Sequence, residues 1–215
     1  MSLSLYFHPL SSFCQKALTA LYENDVPFTP ELIDLSDPQS RGRLTALWPV
    51  GKFPLLHDVA RGRVVPEASI IIEYLHQHYP GRTPLLPADA DAAREVRMRD
   101  RFYDLYVNTP MQKIVTDRLR PEGQRDAFGV EQSRSQLRTA IDMIEADMPS
   151  RTWACGDGFS MADCAAAPAL FYADMVEPFR TSHPKTAAYL ARLMARPSYA
   201  RALEEAGPYL ANVPR

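Results

Sequence analysis

The segment Leu3-Ser4-Leu5-Tyr6-Phe7-His8-Pro9-Leu10-Ser11-Ser12-Phe13-Cys14-Gln15-Lys16 brings two hydroxyls and a thiol to the start of a helix. Leu3, Leu5 and Phe7 alternate as strand residues do, and Pro9 stops the strand. Ser12 and Gln15 have the spacing of a capping box, with serine at the N-cap and glutamine three residues on. On that reading Ser12 starts the helix, and Ser11, one residue outside, is free to meet a ligand. A helix N-terminus carries unpaired N–H groups and the positive end of the dipole, so it favours an anion, a thiolate included. Taken alone, the segment also reads as an ordinary capped helix after a strand. Cys14 stands at the second position of a C-x-x-C pair. Ser11 holds the first, so a redox pair lacks its nucleophilic thiol. Cys14 therefore reads as a helix packing residue.

These groups need a scaffold. Residues 3–7 read as a strand, 13–23 as a helix with Ala17, Leu18, Leu21 and Tyr22 on one side, and 28–33 as a strand. A short helix near 39–47, strands at 53–57 and 63–65, and a helix over 68–78 follow. The order β-α-β-α-β-β-α fits a thioredoxin-like α/β layer. Residues 79–89 form a proline-rich connector. Beyond it strand patterns stop. Residues 91–119 predict one long helix, bent at Pro110, which lacks an N–H and clashes with the preceding turn. Leu137, Ala140, Ile141, Ile144 and Met148 step by three and four, as in an amphipathic helix. Further helices are predicted at 161–175, 186–194 and 198–206. Ser160-Met161-Ala162-Asp163 fits a helix start, with Asp163 able to reach back to the Ser160 N–H. The fold class expected is thus α/β plus all-α. Residues 1–80 form a thioredoxin-like domain, 81–90 a linker, and 91–215 a helical bundle.

Val50-Gly51-Lys52-Phe53-Pro54-Leu55-Leu56 and Pro66-Glu67-Ala68-Ser69-Ile70-Ile71-Ile72-Glu73-Tyr74-Leu75 follow the first segment. Gly156-Asp157-Gly158-Phe159-Ser160-Met161-Ala162-Asp163 lies further on. In this order and at these intervals the four segments resemble the cytosolic glutathione transferases, and in particular bacterial serine-type members with theta-, zeta- or tau-like features. The resemblance covers nearly the whole chain and implies a role for each part of glutathione. Ser11 stands where serine-type members place the hydroxyl that stabilises the thiolate, with Ser12 beside it. Phe53, before a cis Pro54, would pair its backbone with the cysteinyl unit. Lys52 would meet the glycine carboxylate. Glu67 would accept the γ-glutamyl ammonium, and the helix start at Ala68 would receive its carboxylate. The family usually has serine where this chain has Ala68, so a side-chain donor is missing, and Ser69 stands one place later. Tyr6, on the first strand, is the rival thiol-activating residue by resemblance to tyrosine-type members, and packing is its other reading.

A hydrophobic electrophile would lie between the domains, near Leu10, Arg99, Phe102, Tyr103, Tyr106 and Met111. An aromatic stripe of this kind also reads as core. Two rivals stand beside the transferase reading. One is a zeta-like glutathione-dependent isomerase, though Phe13 stands where that subgroup has cysteine and Gln15-Lys16-Ala17 where it has a basic run. The other is a binding or regulatory protein on the same fold. The resemblance also implies a homodimer. The apolar richness of 68–78 and the arginines Arg94, Arg97, Arg99 and Arg101 agree with that.

Composition narrows the rest. The 215 residues are 46% hydrophobic and 23% charged, with a net charge of −2, so no basic field points to nucleic acid or an anionic membrane. No apolar run approaches the ~20 residues of a membrane span, and the first residues lack the pattern of a secretion signal. Three cysteines, an odd and sparse set, suit a reducing cytoplasm. The five histidines show no ligand spacing, so no metal is expected.

Overall fold

The computed structural model describes residues 2–214. Four strands, β1 (Leu3–Phe7), β2 (Thr29–Leu32), β3 (Leu55–Asp58) and β4 (Arg63–Pro66), alternate with helices α1 (Ser12–Glu23), α2 (Pro38–Leu47) and α3 (Ala68–His78). Helices follow: α4 (Ala90–Phe102), α5 (Thr109–Asp117), α6 (Ala127–Asp147), α7 (Met161–Val176), α8 (Pro184–Ala195) and α9 (Pro197–Ala206). The sheet order is β2-β1-β3-β4. β1 runs parallel to β2, with Tyr6 opposite Glu31, and antiparallel to β3, with Tyr6 opposite Leu55. Pro30 and Pro66 sit in the two edge strands, where a missing N–H costs no ladder bond.

Alternation along β1 divides the sheet's two faces. Leu3, Leu5 and Phe7 are buried under α1 and α3 in the main core. Tyr6 points the other way and packs with Ile33, Leu44 and Leu55. Helix α1 is enclosed, packed against α3 on one side and α7 and α9 on the other. The small residues Ala165, Ala166 and Ala167 are buried where α7 fits into this packing. The α7 start carries the expected capping box, in which the Asp163 carboxylate accepts the Ser160 N–H at 2.9 Å; the Ser160 hydroxyl also donates to that carboxylate at 2.9 Å. That buried carboxylate also accepts from Ala154 N–H and the Tyr189 hydroxyl.

Three local expectations are corrected. The helix expected over 91–119 is divided. Between α4 and α5, residues Tyr103–Asn108 form a π-helical turn. Pro110 cannot donate to a carbonyl four residues back, and the wider turn accommodates its ring. The Thr109 hydroxyl bonds the Asp104 carbonyl at 2.9 Å. The third strand begins at Leu55 rather than Phe53, because Pro54 has no N–H to give the ladder. The first helix begins at Ser12, and its N-cap is Ser11, not Ser12.

That last shift has a tertiary cause. Gln15 is fully buried, and its amide must find partners inside. It donates to the Pro9 carbonyl at 2.8 Å and to the Tyr172 hydroxyl at 2.9 Å, and accepts from Tyr199 at 3.3 Å. Drawn into the core, Gln15 cannot fold back on the helix start, so the expected capping box does not form. No described helix is long and apolar enough to cross a membrane.

Candidate functional site

The turn after β1 is held by its own backbone and by His8. Ser11 N–H donates to the His8 carbonyl at 3.0 Å, and Leu10 N–H donates to His8 Nδ1 at 3.2 Å. An accepting Nδ1 puts the neutral ring's proton on Nε2. Burial lowers the His8 pKa, against the pull of Asp34, and so keeps the ring neutral. Ser11 Oγ accepts the Cys14 N–H at 3.3 Å. Its hydroxyl proton is left to donate elsewhere. Ser12, the first helical residue, is buried, and its hydroxyl accepts from Gln112 Nε2 at 3.4 Å.

Phe53 and Pro54 are joined by a cis peptide bond just ahead of β3. Phe53 precedes the first ladder residue, so its peptide groups lie outside the sheet's hydrogen bonds. The Phe53 ring stacks on His8 with centroids 6.4 Å apart. Lys52 is exposed and has no ion-pair partner among the described residues. Glu67 begins α3 in the left-handed region, at φ 70°. Its side chain caps nothing and is exposed. A strained non-glycine backbone of this kind persists where the surroundings fix it. Ala68 is buried.

Between the start of α3 and the α4–π turn lies a cavity of about 170 Å³, lined by Phe13, Glu67, Ala68, Ser69, Arg101 and Asp104, among others. Beneath it is a buried ionic network that sequence reasoning missed. Lys16 Nζ lies 2.6 Å from Asp100 Oδ1 and 2.7 Å from Asp104 Oδ2. Ser69 Oγ accepts from Lys16 at 2.8 Å and donates to Asp100 at 2.6 Å. Burial and the like charge of Asp100 push the Asp104 pKa up, against the pull of Lys16. The available signal was the pair Asp100 and Asp104, four apart and hence on one helix face, which calls for a cation. Ser69, expected to face glutathione, is instead engaged in this network.

The residues expected around the electrophile are only partly gathered. Phe102, Tyr103 and Met111 are buried in the helical core. Arg99 is drawn to the α6 side of α4, where it meets Asp147 at 2.5 Å and Glu95 at 3.1 Å. Leu10 is half-buried in the turn, and Tyr106 is exposed against Phe102. An unexpected residue joins the mouth of the site. Tyr209, from the 3-10 segment Gly207–Asn212, meets the His8 ring edge-on at 5.2 Å. Tyr6 belongs to the small core on the far face of the sheet. Cys14 is fully buried, and burial pushes its thiol up to about 12, which suits packing and not nucleophilic attack. No group of three or more His, Cys, Asp or Glu among the described residues could hold a metal ion.

A thioredoxin-like sheet with a cis-proline before its third strand, facing a helical bundle, defines the class. Residues 5–83 match the N-terminal domain of glutathione S-transferase and residues 127–192 its C-terminal domain. The chain is 29% identical over 153 residues to the glutathione S-transferase-like protein LUC7 of a Fusarium species, covering 70% of this chain and 67% of that one. It is 28% identical over 219 residues to FtsZ-localized protein A of Caulobacter vibrioides, covering 97% and 93%. A glutathione S-transferase of Methylobacillus flagellatus, solved with glutathione bound, superposes with a TM-score of 0.84 at 26% identity, covering 94% of this chain and 98% of that one. This chain belongs to the glutathione S-transferase family. Glutathione transferase activity goes with that membership, and glutathione is the co-substrate.

Proposed function

We propose that the chain is a serine-type transferase in which the Ser11 hydroxyl donates to the glutathione thiolate. The observation that carries this reading is the bond from Cys14 N–H to Ser11 Oγ, which anchors the oxygen at the helix start and leaves its proton to give. A donor to the charged form lowers a thiol's pKa, and the α1 N-terminus acts in the same sense. Model thiols titrate near ~8.5, and each unit is about 1.4 kcal/mol. The remaining roles follow from position. Phe53 pairs its peptide groups with the cysteinyl unit, beside Pro54. Lys52 meets the glycine carboxylate, Glu67 the γ-glutamyl ammonium, and the Ala68 N–H the neighbouring carboxylate.

The second substrate is a small hydrophobic electrophile, approaching past Leu10, Tyr106 and Tyr209. The thiolate sulfur forms a bond to its carbon, and the displaced group leaves with the bonding electron pair, as in detoxification chemistry. Residues 1–80 carry the glutathione site, 81–90 join it, and 91–215 complete the cleft. The protein works in the cytoplasm as a homodimer. The exposed Ile70 and Met98 beside the Glu73–Arg97 pair support a contact there, and light scattering at twice the chain mass tests it.

Ultraviolet difference spectra of bound glutathione test the central role. The thiol should titrate below its free value in the wild type and return towards that value in Ser11→Ala. An unchanged titration in Ser11→Ala sinks the assignment. A second reading, a binding or regulatory protein on this fold, is favoured by Ala68 and by the likeness to FtsZ-localized protein A. A chain that binds glutathione but turns over no generic electrophile would support it.

A further inference from the structure

The missing hydroxyl at Ala68 leaves a question of chemistry. A γ-glutamyl end carries an ammonium and a carboxylate on one carbon, and the carboxylate needs more than one N–H. Ser69 does not supply the second donor. Its oxygen donates to Asp100 and accepts from Lys16 and from Arg101 Nη2, the last at 2.9 Å. A different group must face the carboxylate.

We infer that Arg101, on α4 of the same chain, is the cation that receives the γ-glutamyl carboxylate, in place of the absent hydroxyl. The inference rests on the glutathione reading above. The cavity at the start of α3 supplies the geometry. Its volume of about 170 Å³ is below the roughly 300–1,000 Å³ of pockets that take a whole drug-sized ligand. It suits the head of one amino acid. Glu67 lines it from the start of α3, Arg101 from α4 and Asp104, the partner of Arg101, from the π turn, so one cation and two carboxylates from three elements meet in one small space. That is the complement of a zwitterion.

The network beneath explains why Arg101 is available. Two aspartates alone would claim the guanidinium entirely. Lys16, only 1% exposed, cannot reach a ligand, yet it touches both aspartates and neutralises most of their demand. Arg101 then gives Nη2 to Asp104 and Ser69, while Nε lies 3.5 Å from Asp100. Its Nη1 has no partner among the described residues, and the side chain is 54% exposed. The charges of Lys16, Arg101, Asp100 and Asp104 sum to zero, and the ligand's ammonium offsets Glu67, so the added carboxylate meets a guanidinium with a free edge. Arginine suits this task because its planar fork binds carboxylates in two-point fashion.

The test pairs a protein change with a ligand change. Calorimetry measures binding of glutathione, and of its analogue lacking the γ-glutamyl α-carboxylate (γ-aminobutyryl-cysteinyl-glycine), to the wild type, Arg101→Gln and Arg101→Lys. Arg101→Gln should weaken glutathione binding by about ten-fold or more, the scale of a lost charge-assisted bond. Binding of the analogue should be unchanged, and Arg101→Lys should fall between. Equal losses for both ligands, or no loss for either, would overturn the role of Arg101. Should Arg101→Gln fail to fold, the same two-ligand comparison on Arg101→Lys decides. A wild type that binds no glutathione at all overturns the functional reading, and this inference with it. A wild type that binds, with Arg101→Gln binding equally, overturns only the inference.

Discussion

The Cys14 N–H points at Ser11 Oγ, 3.3 Å away. One side chain therefore starts helix α1 and presents a hydroxyl to the cleft. Stability and catalysis are joined at a single oxygen, and a substitution there changes both.

Ser11→Ala should accordingly lose about 1 kcal/mol of stability, the usual cost of removing a cap. It should also lose ten-fold or more in kcat/KM, at about 1.4 kcal/mol per decade. Ser12→Ala, which removes only a long bond from Gln112, should leave kcat/KM within about two-fold, well under one decade. Thermal melts and steady-state kinetics on both variants check this. Loss of turnover confined to Ser12→Ala would reverse the two roles.

Cys14 should be chemically silent in the folded protein. Burial raises its thiol to about 12, and the half-exposed Cys155 is raised as far, again mainly by burial. Alkylation followed by intact mass at neutral pH should modify Cys155 slowly, and Cys14 and Cys164 only after unfolding. Cys14→Ala should keep transferase activity and lose on the order of 1 kcal/mol of stability. A mixed disulfide between Cys14 and glutathione would contradict the packing role.

The clamp around Glu23 predicts an acid-dependent stability. Its carboxylate ties α1 to Thr83 in the connector (2.7 Å), to Arg196 (2.6 and 2.8 Å) and to Ser198 (2.8 Å). Burial pushes its pKa up, but these donors and the Arg196 charge outweigh that and leave it lowered. A lowered folded-state pKa gives stability that is present above the unfolded value, near ~4.3, and lost as pH falls through the folded one. Urea unfolding at stepped pH should therefore fall more steeply below that value in the wild type than in Glu23→Gln. Parallel curves would show that the clamp carries no such linkage.

The parts of the fold that were legible share a cause. Leu3, Leu5 and Phe7 alternate because a strand imposes a period of two, and Ser160 with Asp163 closes a box within four residues. Both are local. The cap at Ser11 was misplaced by one residue because Gln15 answers to Pro9, Tyr172 and Tyr199. Tyr172 and Tyr199 lie more than 150 residues away in sequence. Lys16 gave no local sign of its two aspartates on α4 and the π turn. Phe102, Tyr103 and Met111 lie in the core and not in a cleft, because the face each presents depends on how many residues the turn between α4 and α5 contains. Tyr209 reaches His8 from the other end of the chain, and no spacing rule connects the two.

The π-helical turn Tyr103–Asn108 sets the rotational phase between α4 and α5. An α-helix advances roughly 100° per residue, so one residue more or fewer changes the heading of everything beyond it. Upstream of the turn, Asp100 meets Lys16. Downstream, Met111 and Ile114 enter the core. Removing a single residue from this turn would restore an unbroken helix and swing the two halves out of step. Either the aspartates or the core residues would then face the wrong way. The insertion behaves like a key cut for two locks, aligning an ionic contact with α1 and an apolar contact with the bundle on one continuous rod.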